Sequence, residues 1–585
     1  MSLRLATAWC VCLAVTVIVS LVSTVLGIPP GPLSAGICLA LGIIAGISSA
    51  FFLRLPHDYL ERWTPLSILL SGLFAWATWR AFFWLFFQDG GALCISSPYN
   101  LGDLSLHLQF IQVFANTSEI PLQSPIFTGT LLRYPLGSDW FNAQLLLLGI
   151  PIDRGLIWVG ILSGLALVLT LRAWGGAFSI ASFLFIGGFA ALPFFSSGLL
   201  ADYQYNVDWK NPFLTLWVTQ RGFYYALPAA LLLLHSWRNR LAGGKGYLPL
   251  PTEALLYASM PLFHGHTFLF LSFALLILFI CGLPRSGILT AWRQHWFILV
   301  ATALIPAAAF TWLVTGGFSG SSDIGWWPGW VIKSGPLMEQ IKFWFLNFGL
   351  WLPAAPLALF LAWTQRTKSI RFRIDALFAL IGILIFLACC LFRFAPWAWD
   401  NTKLMLLAWL VIAPCIWNTL IFPLEKPARV LICSLLFFTG AISLIGGLQS
   451  PRSYKLADRA ELAAVSVALD SLPRDAVFIH SGDFNHPLAL LGRQVLSGYN
   501  GHLWSHGYNY LARERALQEL FKGNLAALAW LQKSGADYLF VGQREILQED
   551  SGILILTPFL KKAATGKGFE IFKLDKNLIQ EIESD

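Results

Sequence analysis

The sequence predicts a polytopic α-helical membrane protein with a soluble α/β domain at its C-terminal end, and three observations predict it. Of 585 residues, 57% are hydrophobic and 12% charged, with mean hydropathy +0.66, whereas soluble proteins carry about a quarter charged residues. The apolar residues gather into runs long enough to cross a hydrocarbon layer about 30 Å thick. Beyond residue 450 these runs stop and a soluble pattern begins. Soluble globular, disordered, collagen-like and coiled-coil classes are excluded for the chain as a whole.

The charges divide at the same boundary. Residues 1–450 hold 24 Lys and Arg against 15 Asp and Glu, and residues 451–585 hold 15 against 16. The basic balance therefore belongs to the membrane part, where Lys and Arg fix orientation, and it calls for no nucleic-acid partner. Of nine cysteines, Cys10, Cys12, Cys38, Cys281, Cys389, Cys390, Cys415 and Cys433 lie inside apolar runs and only Cys94 does not. They read as small buried hydrophobes, with no disulfide framework and no metal-type CxxC.

In chain order, apolar runs occupy about residues 7–27, 33–53, 65–87, 155–171, 177–195, 223–236, 250–263, 266–282, 296–314, 344–363, 374–392, 404–421 and 428–447, about thirteen spans. The first exceeds a signal-peptide core and a second follows at once, so it reads as an uncleaved span. With the N-terminus inside, the cytoplasmic side receives Arg4, Arg54, Arg62, Arg172, Arg238, Arg240, Lys245, Arg285, Arg293, Arg366, Lys368, Arg371, Arg373, Lys426 and Arg429. The outer loops receive fewer: Arg133, Arg154, Lys210, Arg221, Lys333, Lys342, Arg393 and Lys403. That bias places residues 451–585 outside.

Three outer segments are long, at 88–154, 196–222 and 315–343. In the first, GDLSLHLQFIQVF sets Leu104, Leu108 and Ile111 at helical spacing, with Asp103 and His107 four apart on another face. This helix is expected along the membrane surface, with WFNAQLLLLGI at 140–150 as a companion. After Pro451, AVFIHS (476–481) and ADYLFVG (536–542) read as buried strands, and NYLARERALQELFKG and NLAALAWLQKSG as helices. No repeat or low-complexity tract stands out.

An acid on a helix just outside the membrane suits a general base acting on a hydroxyl. Asp103 is the first candidate, with Asp89 and Asp139 behind it; the competing reading is that Asp103 only caps its helix. The start of this helix (Gly102, Asp103), the segment RYPLGSDWFNAQLL (133–146), which looks like a Tyr-Pro-Pro-Gly loop leading into a helix, and the outer domain after about thirteen spans together resemble the GT-C superfamily of polytopic glycosyltransferases. That superfamily includes protein O-mannosyltransferases and oligosaccharyltransferase catalytic subunits. The sequence departs from several members by lacking an Asp-x-Asp or Asp-Glu pair in the first loop and by two extra spans before it.

The resemblance implies a catalytic base or metal ligand at Asp103 and a sugar donor on polyprenyl phosphate or pyrophosphate. It implies inverting transfer to an acceptor hydroxyl on a glycan, lipid or protein. No cofactor is called for by the residues; a divalent metal stays open. A departing phosphate needs cations, and Arg80, Arg221, Arg393 and Lys403 are available at suitable depth. His107 is expected to contact substrate beside Asp103. FHGHTF places His264 and His266 in a tight turn, for hydrogen bonding to sugar or phosphate or for metal ligation. GWWPGW (325–330) reads as an interfacial anchor or a sugar-stacking surface. In the outer domain, LLGRQVLSGYNGHLWSHGYNY (490–510) offers His502, Trp504 and His506 to an acceptor, or else packs the domain core around Trp504. The expected location is a bacterial inner membrane. A transporter or flippase of lipid-linked sugars, or a non-catalytic scaffold, are the other functions the sequence admits.

Overall fold

A computed structural model describes residues 2–53, 63–244, 246–281, 287–319, 324–332, 335–449, 453–547, 552–556 and 560–574. Arg54, Arg62, Lys245, Arg285 and Lys333, which entered the charge asymmetry, lie outside the described residues, as does the boundary residue Pro451.

The architecture is a multi-helix membrane body with a strand-containing C-terminal domain. All thirteen apolar runs fall largely in helices, but among the described residues only eight helices are long and apolar enough to cross a membrane singly: Ser2–Val25, Pro32–Phe51, Pro65–Phe83, Ile152–Phe185, Trp292–Val314, Ile370–Leu391, Ala398–Ile421 and Lys426–Gln449. A ninth crossing is available if Leu337–Asn347 and Trp351–Thr364, bent by 76°, act as one. The remaining runs form shorter or more polar helices, among them Leu250–Ala258 and Gly265–Cys281.

Local chemistry sets these boundaries. Thr64 accepts from the Ser67 N–H, and Pro65 occupies the first turn, where its missing N–H costs nothing. The first two helices pack closely because Gly42 and Gly46 carry no side chain; a Cβ on them would lie 2.1 Å from Thr16 Oγ1 and 2.4 Å from the Ala8 carbonyl. Ile152–Phe185, counted once above, is two helices that meet at a kink. Gly175 and Gly176 have non-helical backbone within it. Arg172 reaches Ser2 at the start of the first helix, while the carbonyl of Ile186 accepts from Gln204 and Trp209 in the second long loop. The chain therefore turns back between them.

The face opposite the long loops carries buried ion pairs. Arg238 meets Asp375 at 3.1 Å, and Glu253 accepts from Arg240 at 3.1 Å and from His295 at 3.0 Å. Pairing is what a weakly solvated region demands of charge.

The C-terminal domain is α/β as expected. Its sheet runs Gln494–Val495, Val477–Ile479, Tyr538–Gly542, Phe569–Lys573, Lys561–Gly566, with the first three strands parallel and the last two joined antiparallel. Both expected strands are present, and Leu511–Phe521 and Leu525–Lys533 are the expected helices. One further strand, Tyr454–Asp458, pairs with Ala92–Ile95 of the first long loop, itself paired with Phe87–Asp89. Loop and domain thus share a sheet and lie on one face of the membrane body.

That junction corrects one expectation. The helix Asp103–Phe114 is not an exposed amphipathic helix: Leu104 to Ile111 are all buried. Two of its polar side chains bond to the C-terminal domain, Gln109 donating to the Arg493 carbonyl at 2.9 Å and Gln112 to that of Leu490. GWWPGW divides between roles, with Trp326 64% exposed and Trp330 fully buried against Phe343, Trp344 and Phe348.

Candidate active site

Asp103 is the first residue of its helix. Gly102 occupies the N-cap position, with no side-chain cap bond. The capping role weighed for Asp103 is therefore not the one it plays: its Oδ2 accepts from the Gln220 amide at 3.2 Å, leaving the carboxylate half-buried at the helix start. One turn on, His107 Nδ1 stands 2.9 and 2.8 Å from the two oxygens of Asp139, both residues buried. A carboxylate only accepts, so the proton sits on Nδ1 and the Nε2 edge is left for another group. With both oxygens on His107, Asp139 holds the orientation of the ring.

Asp139 belongs to the helix Gly137–Leu147, and three chain crossings bring it to the other polar groups. Ser138 donates to the Arg221 carbonyl at 2.8 Å. A Cβ on Gly222 would lie 2.2 Å from the Phe263 carbonyl, and one on Gly137 would lie 2.8 Å from the Phe263 ring. Glycine is what lets these segments touch. The crossings place Arg221 and His264 beside the Asp139 helix.

Arg221 is 1% exposed. Its Nη1 donates to Asn100 Oδ1 at 3.0 Å and to the carbonyls of Val218 and Thr219 at 2.8 and 2.5 Å, while Nε and Nη2 have no hydrogen-bond partner among the described residues. His264 Nδ1 takes the Thr267 N–H at 3.2 Å, which leaves its proton on Nε2. The Nε2 atoms of His264 and His266 are both buried without a partner among the described residues. Lys403 pairs with Asp400 at 3.1 Å.

From above, the C-terminal domain closes on this group. A Cβ on Gly102 would lie 3.9 Å from His502 Nε2, and the His506 ring centroid is 4.9 Å from that of Tyr134, which stands 6.0 Å from His107. Burial pushes His502 down to about 4, with Asp103 opposing the shift. Burial, with help from His502, His107 and Lys403, pushes His506 down to about 3. Both rings are neutral at pH 7. Burial, followed by the charges of Asp139 and Asp103, holds the Tyr134 phenol well above its usual value, so it stays an O–H donor.

Of the residues expected from sequence, the contacts bring together Asp103 with His502, and His107 with His506 through Tyr134; Arg221 lies beside His264 and His266, and the charge of Lys403 is felt at His506. Arg393 stands apart, its guanidinium over Trp327 at 5.3 Å in the ribbon formed by Gly325–Trp326 and Phe392–Arg393. Arg80 lines a different cavity. Trp504 is 45% exposed, so the reading that buries it in the domain core does not hold. Sequence reasoning missed Tyr134, Gln220 and Asn100. Tyr134 opens the Tyr-Pro stretch of the segment 133–146 and Gln220 adjoins Arg221, the signals that could have found them. Among the described residues no three His, Cys, Asp or Glu side chains could hold a metal ion together.

No family model matches the chain, and no curated protein matches it. Solved structures similar to it include the apo Archaeoglobus fulgidus oligosaccharyltransferase, with TM-score 0.45 and 11% identity over 86% of this chain and 74% of that one. ArnT from Cupriavidus metallidurans bound to undecaprenyl phosphate gives 0.44 and 11%, over 87% and 98%. The same oligosaccharyltransferase with Zn and sulfate gives 0.43 and 12%, over 82% and 68%.

Proposed function

We propose that the protein is a membrane glycosyltransferase that moves a sugar from a polyprenyl-phosphate donor to an acceptor hydroxyl at the domain-bearing face. The observation that carries this reading is Arg221, a buried guanidinium with two nitrogens unpartnered among the described residues. A buried cation with free donors suits an anion, and a phosphate oxygen accepts two parallel N–H bonds from it. The Nε2–H of His264 adds a neutral donor, while His266 and Lys403 extend the polar surface.

Asp103 takes the acceptor proton. The freed oxygen pair attacks the anomeric carbon, and the sugar–oxygen bond breaks with its electrons passing to the lipid phosphate, where Arg221 meets the growing charge. Tyr134, His502 and His506 line the acceptor side, donating to or accepting from sugar hydroxyls. The domain-bearing face is extracytoplasmic, supported by the basic residues Arg172, Arg238, Arg240 and Arg371 on the opposite one.

Asp103→Asn keeps the shape and the Gln220 contact but removes the base. Transfer from a polyprenyl-phosphate sugar should fall by at least about a hundredfold while thermal unfolding stays the same. Near-normal turnover would remove Asp103 from the mechanism.

A further inference from the structure

A cavity opens on the same face, beside the segment that precedes the Asp103 helix. It measures about 200 Å³ and lies between the end of Pro65–Phe83, the segment 96–99, the second long loop and the end of Lys426–Gln449. Its walls meet closely. A Cβ on Gly446 would lie 2.3 Å from the Ala201 carbonyl carbon, and one on Gly447 would lie 2.4 Å from Leu214. Trp79, 51% exposed next to Arg80, and Leu199, 63% exposed two residues before Ala201, give the cavity an apolar flank of the kind found where hydrocarbon meets water.

Two opposite charges face this cavity without an ion pair between them, and the charge of Lys210 is also felt at Asp202. Arg80 rests over Trp84 at 4.8 Å and makes no hydrogen bond or ion pair among the described residues. Asp202 accepts from the Tyr99 hydroxyl at 2.8 Å through Oδ2, while its Oδ1 is buried with no partner among the described residues. A cation and a carboxylate held apart at a weakly solvated level suit a molecule that carries both signs. A purely anionic headgroup would meet the Asp202 carboxylate. A quaternary ammonium cannot donate to Oδ1, whereas a primary ammonium can.

We propose that this cavity binds the headgroup of an ethanolamine phospholipid, with its phosphodiester on Arg80 and its primary ammonium on Asp202. The acyl chains would leave past Trp79 into the bilayer. Val218 lines the cavity, and its carbonyl accepts from Arg221 and Asn100. An occupied cavity would therefore steady the segment that presents Gln220 to Asp103. The proposal does not depend on the transferase reading, since its test reads lipid retention and not turnover.

The test uses the full-length protein, delipidated and returned to micelles with equal amounts of phosphatidylethanolamine, phosphatidylglycerol and phosphatidylcholine, with bound lipid read by native mass spectrometry. The ethanolamine lipid should be retained about tenfold over the other two, as expected for one charge-assisted bond. Asp202→Asn keeps an acceptor for Tyr99 and should abolish the preference over phosphatidylglycerol. Arg80→Ala should lower retention of the ethanolamine lipid about tenfold; should it not fold, the near-isosteric Asp202→Asn carries the test. Equal retention of the three lipids, or a preference unchanged in Asp202→Asn, overturns the proposal. So does displacement of the ethanolamine lipid by equimolar polyprenyl phosphate, which would make the cavity a donor-lipid site.

Discussion

His107 and Asp139 form a two-oxygen contact at the centre of the candidate site, and their burial decides what each is worth. A charged acceptor that leaves a buried imidazole unpartnered costs about 1–3 kcal/mol. Asp139→Ala and His107→Ala, which remove the contact outright, should each lower stability by at least that amount, and the double variant should cost less than their sum, with coupling of about 1–3 kcal/mol in thermal unfolding. Additive effects would mean that the contact is not made. His502 and His506 add a pH dependence. Their folded pKa values, about 4 and about 3, lie below the unfolded histidine value, which is about 6.5. Below that value the unfolded chain binds more protons, so the stability present above it is lost as pH falls from about 6.5 toward the folded values, by up to about 1.4 kcal/mol per pH unit for each ring. Replacing both by Asn should flatten the fall in unfolding temperature between pH 7 and pH 5, and an unchanged slope would refute their burial. Much of the site was legible at this scale: the spacing of Asp103 and His107 marks one helix face. The partner of His107 was not, because Asp139 lies in another helix and only the fold brings it near.

At the scale of elements, apolar runs located the helices but not their lengths or breaks. The runs 155–171 and 177–195 read as two spans, and the structure joins their helical parts at Gly175 and Gly176 into a hairpin whose second arm ends at Phe185. Periodicity records burial and is silent on where a chain turns; the turn depends on a backbone conformation. Gly176 has φ +66° and ψ −148°, a region essentially closed to residues with a Cβ. A Cβ on Gly175 would lie 2.3 Å from Ser179 Oγ and 2.9 Å from Pro414. Gly176→Ala should cost about 1–3 kcal/mol in thermal unfolding. Gly72→Ala, mid-helix with nothing within 4 Å of the added atom, should be neutral or stabilising. Equal effects at the two positions would remove the hairpin as the reason for glycine at 176. The burial of Asp103–Phe114 on both faces was not legible for a related reason: an amphipathic pattern shows that one face is polar, and here the polar face meets protein instead of water.

At the scale of the whole molecule, the candidate site is finished only by the C-terminal domain. The sheet shared by Ala92–Ile95 and Tyr454–Asp458 fixes the domain at one edge. Across the helix, Gln109 and Gln112 bond to carbonyls of the domain, Thr128 donates to that of Val495 at 2.8 Å, and Arg133 to that of Gly507. These bonds link segments more than 350 residues apart, so no local pattern in the sequence announces them. They also make the docking testable apart from the chemistry. Gln109→Ala with Gln112→Ala removes two donors and leaves two carbonyls to find water, at about 1 kcal/mol or more each. The domain core around Val477, Ile479 and Leu539 is untouched by the change. Amide exchange in Asp103–Phe114 and Asn500–Ser505 should therefore rise about tenfold while Tyr538–Gly542 keeps its protection. Unchanged exchange in the first two segments would show that the shared sheet alone holds the domain over Asp103; loss of protection in all three would show that the domain does not fold apart from the membrane body.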